Sequence, residues 1–284
     1  MSDGASRGRI AFVLGGGGLL GAHEVGMLAA LADRGVVPDV IIGTSIGAVN
    51  GAVFAGEPGP VGVECLRALW ASAGSESVWA TGPLQRLSTL ARTGTHLQPL
   101  GVLLDRLREV LPAQRVEELT VPFQCVAASI ERAAEHWFTE GPLAEVLLAS
   151  CAVPGILPPV RIGDEHFIDG GIVNSIPVSR AVELGADAVY VLQVGRLEQA
   201  LRPPRWPWEV GLVAFEVARR HRFARDLTSL PEGVALHVMP TGGSAAPAYN
   251  DVAAPLRMRR LAATVQRQID SAHAASLEYL DGIA

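Results

Sequence analysis

Two successive stretches of this chain share one local plan, and that plan constrains the fold more than any other feature. In GRIAFVLGGGGLLGAHEVGMLAALADRGV, a β-branched and aromatic run from about Arg9 to Leu14 enters a glycine loop and then an Ala/Leu-rich helix ending near Gly35. In PDVIIGTSIGAVNGAVFAG, Val40 to Ile42 form a short apolar strand and Ile46 to Ala55 a helix of small residues. Two strand–turn–helix units in a row predict a parallel sheet with helices on its faces. The uncharged run Val40 to Gly56 approaches the lower length limit for crossing a bilayer. Thr44, Ser45, Asn50 and the interspersed small residues favour a buried strand running into a buried helix instead.

The later elements are read more coarsely. Residues 61–73 and 98–111 read as helical, the second closed by Pro112, whereas 74–97 lack clear periodicity. VPFQCVAASI and HWFT suggest a strand pair, PLAEVLLAS a short helix and CAVPGILPPV an irregular connection. HFIDGG reads as a short strand, VSRAVELGA as a helix stopped by Gly185, and DAVYVLQVG as a strongly β-branched strand. A strand from Val234 to Met239 and a helix from about Leu256 to Leu280 close the chain. No internal repeat and no long linker interrupts it, so residues 1–284 are expected to form one domain.

Composition removes several kinds of chemistry. The 23 basic residues, against 29 acidic ones, are all Arg, which excludes a lysine Schiff base and a P-loop lysine. The net charge of −6 argues against a protein that coats nucleic acid. Cys65, Cys125 and Cys151 lack disulfide-scaffold or metal-ligand spacing. The apolar run after Arg7 and Arg9 is too short for a secretory signal, so a cytoplasmic location is expected.

Three features carry chemistry. Gly43-Thr44-Ser45-Ile46-Gly47 is a Gly-x-Ser-x-Gly pattern between an expected strand and an expected helix. A serine at such a turn projects its Oγ from the sheet, and the Ile46 amide points toward the same spot. A Gly/Ser-rich turn without chemistry explains the five residues alone, but not their place between strand and helix. The run Gly15 to Gly18, followed by Gly21, contains Gly-x-Gly-x-x-Gly. Ile42 and Gly43 stand where a dinucleotide site needs an acid, and no lysine serves a P-loop, which leaves a nest of amides able to hold an oxyanion. Asp169, before Gly170 and Gly171, ends a strand. A solvated loop acid is the common reading of such a residue; if its strand lies beside that of Ser45, the carboxylate can instead accept the serine proton.

Taken in order, GGGGLLGAHEVGMLAAL, PDVIIGTSIGAVNGAVFA, ASCAVPGILPPV and FIDGGIVNSIPV resemble the four signature blocks of patatin-like phospholipases. The blocks span about residues 10–178, and weaker similarity continues to about 240. The resemblance implies a three-layer α/β/α fold with a mainly parallel central sheet and a Ser–Asp dyad of Ser45 and Asp169. It also implies an oxyanion hole on Gly16, Gly17 and Gly18, joined by Ile46, with Gly21, Gly43, Gly47, Gly170 and Gly171 supporting the motifs. Lipid acyl esters are the implied substrates, with no metal or organic cofactor. An acyltransferase on the same dyad and a non-catalytic lipid-binding module are the alternatives.

His221, His237 and His273 follow Asp169 in the order a Ser–His–Asp triad would need, but their contexts favour structural or surface roles. Trp206 and Trp208 lead into a helix bearing Arg219, Arg220, Arg222 and Arg225 interleaved with Phe215 and Phe223. Such a helix could make peripheral contact with an anionic membrane; packing on the sheet is the preferred reading. One position departs from the family pattern: Leu20 stands where the glycine loop usually has Arg or Lys. Neutral or single-chain acyl esters are therefore expected to turn over faster than anionic phospholipids. Equal or higher turnover on phosphatidylglycerol than on a neutral monoester would contradict this.

Overall fold

The structure, a computed structural model, describes residues 8–75, 100–194, 200–243 and 261–283. The first expected unit is strand β1 (Ile10–Leu14), a 3₁₀ turn at Gly18–Gly21 and helix α1 (Ala22–Asp33). The second is β2 (Val40–Thr44) and α2 (Ile46–Gly56). Next come α3 (Pro60–Ser75), α4 (Leu100–Val110), β3 (Phe123–Ser129), β4 (Ala134–Phe138) and α5 (Leu143–Ser150). They are followed by β5 (Val160–Ile162), β6 (Glu165–Asp169), α6 (Gly171–Asn174), α7 (Val178–Glu183) and β7 (Ala188–Leu192). The last elements are α8 (Pro207–Thr228), β8 (Ala235–Val238) and α9 (Leu261–Ile283). Most of the aperiodic stretch 74–97, and residues 256–260 of the expected final helix, lie outside the described residues.

The eight strands form one sheet. Strands β8, β7, β1, β2 and β3 are mutually parallel, as the successive strand–turn–helix units require, while β3–β4, β3–β6 and β5–β6 pair antiparallel. Both faces are covered. Phe12 and Leu14 of β1 enter a core with Met27, Phe54, Leu66 and Ile269, whereas Ala11 and Val13 enter a second core with Ile176, Val178 and Phe223. The period-two alternation of β1 thus feeds two apolar cores, as a central strand of a three-layer fold must. The uncharged run Val40 to Gly56 is β2 running into α2, both buried. No helix among the described residues is long and apolar enough to cross a membrane.

Helix α8 packs on the flank of the sheet, the reading preferred from its sequence. Phe223 is buried, and Arg222 pairs with Glu135 of β4 at 2.7 Å and with Asp226 at 3.1 Å. This packing brings α8 against α6 beside the end of β6.

The register around β3 decides how the sheet presents its ends. Strand β4 occupies one edge of β3 from Cys125 to Ser129. The opposite edge is divided between two strands: β2 pairs with Phe123 to Val126, and β6 with Ala127 to Ser129. Because β2 runs parallel and β6 antiparallel to β3, their C-terminal ends meet head-on. Thr44 is opposite Val126 and Asp169 opposite Ala127. The two strands are not side by side, the arrangement considered from sequence; they abut end to end along one edge.

The chain leaves β2 through Ser45 with φ 54° and ψ −126°. Among the described non-glycine residues, only Ser45 and Ala133 have positive φ. Such a backbone costs on the order of 1–3 kcal/mol and persists only where its surroundings over-determine it. Here they do: a Cβ on Gly43 would lie 2.4 Å from Ala48 Cα, and one on Gly47 2.5 Å from the Leu14 carbonyl oxygen. Ser45→Gly is therefore expected to unfold at higher temperature than Ser45→Ala, with a stability advantage of about 1 kcal/mol. Equal melting of the two variants would show that the turn is unstrained.

Candidate active site

The head-on strand ends place two side chains in direct contact. Ser45 Oγ donates a hydrogen bond of 2.6 Å to Asp169 Oδ2. The other carboxylate oxygen, Oδ1, accepts the Gly171 amide at 2.7 Å. Asp169 is 1% exposed, so its charge is held almost without water. Burial, outweighing the bonds from Ser45 and Gly171, pushes this carboxyl from its ordinary 3.8 up to about 6. The glycines that follow allow close approach. A Cβ on Gly170 would sit 2.2 Å from the Val126 carbonyl oxygen, and one on Gly171 2.9 Å from Asp169 Oδ1.

Ser150, at the C-terminal end of α5, locks the corner. Its hydroxyl donates to the Val126 carbonyl at 2.7 Å and accepts the Ser45 amide at 2.9 Å. One side chain therefore satisfies the N–H of the strained serine and ties it to the point on β3 where β2 gives way to β6. Thr44 Oγ1 donates to the Asn174 carbonyl at 2.9 Å, fixing β2 to the segment after Asp169. Cys151 also neighbours this corner. Burial and the Asp169 charge push its thiol well up, which keeps it protonated.

The glycine loop passes over the same point: a Cβ on Gly16 would lie 3.5 Å from Ser45 Cβ. Its amides are not equivalent. Gly15 N–H donates to the Leu192 carbonyl and Gly16 N–H to the Ser175 carbonyl, both at 2.9 Å. Gly16 therefore leaves the set of expected oxyanion donors, because its amide already has an acceptor. Among the described residues, no protein group accepts from the amides of Gly17, Gly18 or Ile46. Ile46 opens α2, where the first amides have no helical acceptor. The far end of the loop is anchored by a buried network. Asn50 Nδ2 donates to the Gly21 carbonyl at 3.0 Å and to Glu24 Oε2 at 2.7 Å, while Trp70 Nε1 donates to Asn50 Oδ1 at 3.0 Å. Burial pushes the Glu24 carboxyl well above its ordinary value.

The histidines have their partners elsewhere. His237 stacks on Tyr190 and bonds Tyr279 at 3.3 Å, and His273 Nε2 pairs with Asp33 at 2.7 Å. His221 is exposed on α8. Among the described residues, no group of three or more His, Cys, Asp or Glu could hold a metal ion. No role in the site for Ser150, Thr44, Asn50 or Arg219 follows from the sequence alone. Ser150 carries a usable signal, as a polar residue closing the apolar run Val146 to Ala149. Arg219, which donates to the Gly16 carbonyl across 203 residues of chain, is marked only by its place four residues from both Phe215 and Phe223, on one helix face.

A family model described as patatin-like phospholipase matches residues 12–182. The chain is 32% identical over 192 residues, 67% of its length, to a patatin-like phospholipase domain-containing protein of Caenorhabditis elegans. It is 28% identical over 200 residues, 69% of its length, to an uncharacterized NTE family protein of Mycobacterium tuberculosis. It is also 28% identical over 189 residues, 66% of its length, to the lysophospholipase nte1 of Aspergillus terreus. The matched stretch makes up 14%, 51% and 12%, respectively, of those proteins' own lengths. The family match contains both Ser45 and Asp169 and extends over more than half of the sequence, and the chain belongs to the patatin-like phospholipase family.

Proposed function

We propose that the chain is a serine acyl hydrolase that cleaves carboxylic esters of lipids through an acyl-enzyme. Ser45 Oγ attacks the ester carbonyl while Asp169 takes its proton, and the oxyanion is held by the amides of Gly17, Gly18 and Ile46. The leaving alcohol departs with the proton from Asp169. Water then attacks the acyl-serine with Asp169 again as base, releasing the fatty acid and restoring the serine. The observation that carries this reading is the 2.6 Å contact between a strained, buried serine and a dry carboxylate, with no histidine interposed. A carboxylate is a weak base for a hydroxyl in water. Its shift to about 6 improves the match, and each preorganised oxyanion donor contributes on the order of 3 kcal/mol to the transition state. The names of the relatives, which include a lysophospholipase, support a lipid ester as substrate.

Hydrolysis of a p-nitrophenyl ester series of increasing acyl length tests this. Wild type is expected to turn the esters over, Ser45→Ala and Asp169→Asn to be inactive, and variants of His221, His237 and His273 to keep most activity. A histidine whose loss is as severe as that of Ser45 would replace the dyad with a triad.

The Asp169 shift sets two pH dependences. The base must be ionised, so kcat/KM is expected to fall as pH drops through about 6; an acid limb near the ordinary carboxylate value would contradict the dry site. For stability the sign is opposite. With its folded pKa above the unfolded one, Asp169 contributes stability that is full below the unfolded value and lost as pH rises through about 6. Asp169→Asn escapes that loss, so its advantage over wild type grows between about pH 4 and pH 8 by on the order of 3 kcal/mol. A difference in melting temperature that is flat with pH would contradict it.

A further inference from the structure

Resting on the reading of Ser45 as nucleophile, we infer that Arg219 of α8 is a positioning residue for the oxyanion-binding amide of Gly17, and that it places by the glycine loop the cation that Leu20 does not provide. Three observations carry this. Arg219 is 4% exposed, which is rare for an arginine and requires compensating partners. Its Nη1 donates to the Gly16 carbonyl at 3.0 Å. The Gly16–Gly17 peptide is a planar trans unit, so holding its C=O on one side fixes the Gly17 N–H on the other. The Gly16 amide is fixed independently by the Ser175 carbonyl, so both peptide planes at Gly16 are tied down.

Charge adds to geometry. A guanidinium bound to the carbonyl draws electrons from the peptide and makes its N–H a stronger donor, an effect enhanced where water is excluded. Both oxygens of Glu216 approach Arg219, Oε1 at 3.2 Å from Nε and Oε2 at 3.4 Å from Nη2, but Oε2 is shared with Arg220 Nε at 3.3 Å, so one carboxylate faces two guanidinium charges. Helix α8 is held in place from the same side, since Phe215 packs where a Cβ on Gly171 would come within 2.6 Å of its ring. Leu20, on the loop, leaves no cation there to contact a lipid headgroup. Arg219, buried and bonded to the backbone, serves the ester chemistry rather than headgroup recognition. The helix lies outside residues 12–182, the stretch matched by the family model.

The test compares wild type with Arg219→Met, Arg219→Lys and Ser45→Ala on one neutral p-nitrophenyl ester, with thermal melting to establish folding. Arg219→Met is expected to lower kcat by about tenfold or more with KM within about twofold, because the oxyanion exists only in the transition state. Arg219→Lys is expected to recover part of that loss. The acid limb of the rate profile should stay in place, since burial, Ser45 and Gly171 govern Asp169. A folded Arg219→Met with wild-type kcat, or with a change confined to KM, overturns the inference while leaving Ser45 as nucleophile intact. A wild type that hydrolyses no ester, or an active Ser45→Ala, overturns the underlying reading instead. If Arg219→Met does not fold, Arg219→Leu, which also removes the donor and the charge, is judged by the same criterion.

Discussion

The structure depends on one edge of β3 being shared by two strands that run toward each other. Strand β2 pairs with its first half and β6 with its second, so the residues leaving the two strand ends have to meet. Ser45 and Asp169, 124 residues apart in the chain, are brought to 2.6 Å by backbone register rather than by flexible loops. Ser150 reinforces the junction, since its hydroxyl bonds both the Val126 carbonyl and the Ser45 amide. A pair of side chains built on strand ends is held more tightly than one on mobile loops, and the proposed dyad, which lacks an imidazole, needs such placement.

That junction also explains the electrostatics. Both carboxylate oxygens of Asp169 have partners, Ser45 Oγ and the Gly171 amide, yet burial still prevails and raises the pKa. A carboxyl held near 6 is disfavoured in its ionised form enough to take up a proton, as the proposed base must, but is not neutral near pH 7. The backbone strain at Ser45 and the desolvation of Asp169 are local penalties, offset by two apolar cores packed against the faces of the sheet.

Much of this was legible in the sequence where local chemistry decides the outcome. The alternation in IAFVL, the run VIIGT and the glycines around Ser45 each report a short-range requirement, and the strands and the turn follow from them. The head-on meeting of β2 and β6 was not legible, because register between strands distant in sequence is set by side-chain packing rather than by any local pattern. For the same reason the expected oxyanion set included Gly16, whose amide turns to the Ser175 carbonyl only once the segment after Asp169 is folded beside it. The partner of Arg219 lay furthest out of reach: its spacing of four from Phe215 and Phe223 puts it on their helix face, but nothing in the helix points to the Gly16 carbonyl.

The central claim is that Asp169 deprotonates Ser45 directly, and the rate at which a fluorophosphonate modifies Ser45, followed by intact mass across pH, measures that step without a lipid substrate. The account predicts a single adduct on Ser45 whose rate rises with one ionisation near pH 6, and almost no adduct in Asp169→Asn at any pH. Modification of Asp169→Asn at the wild-type rate would contradict it.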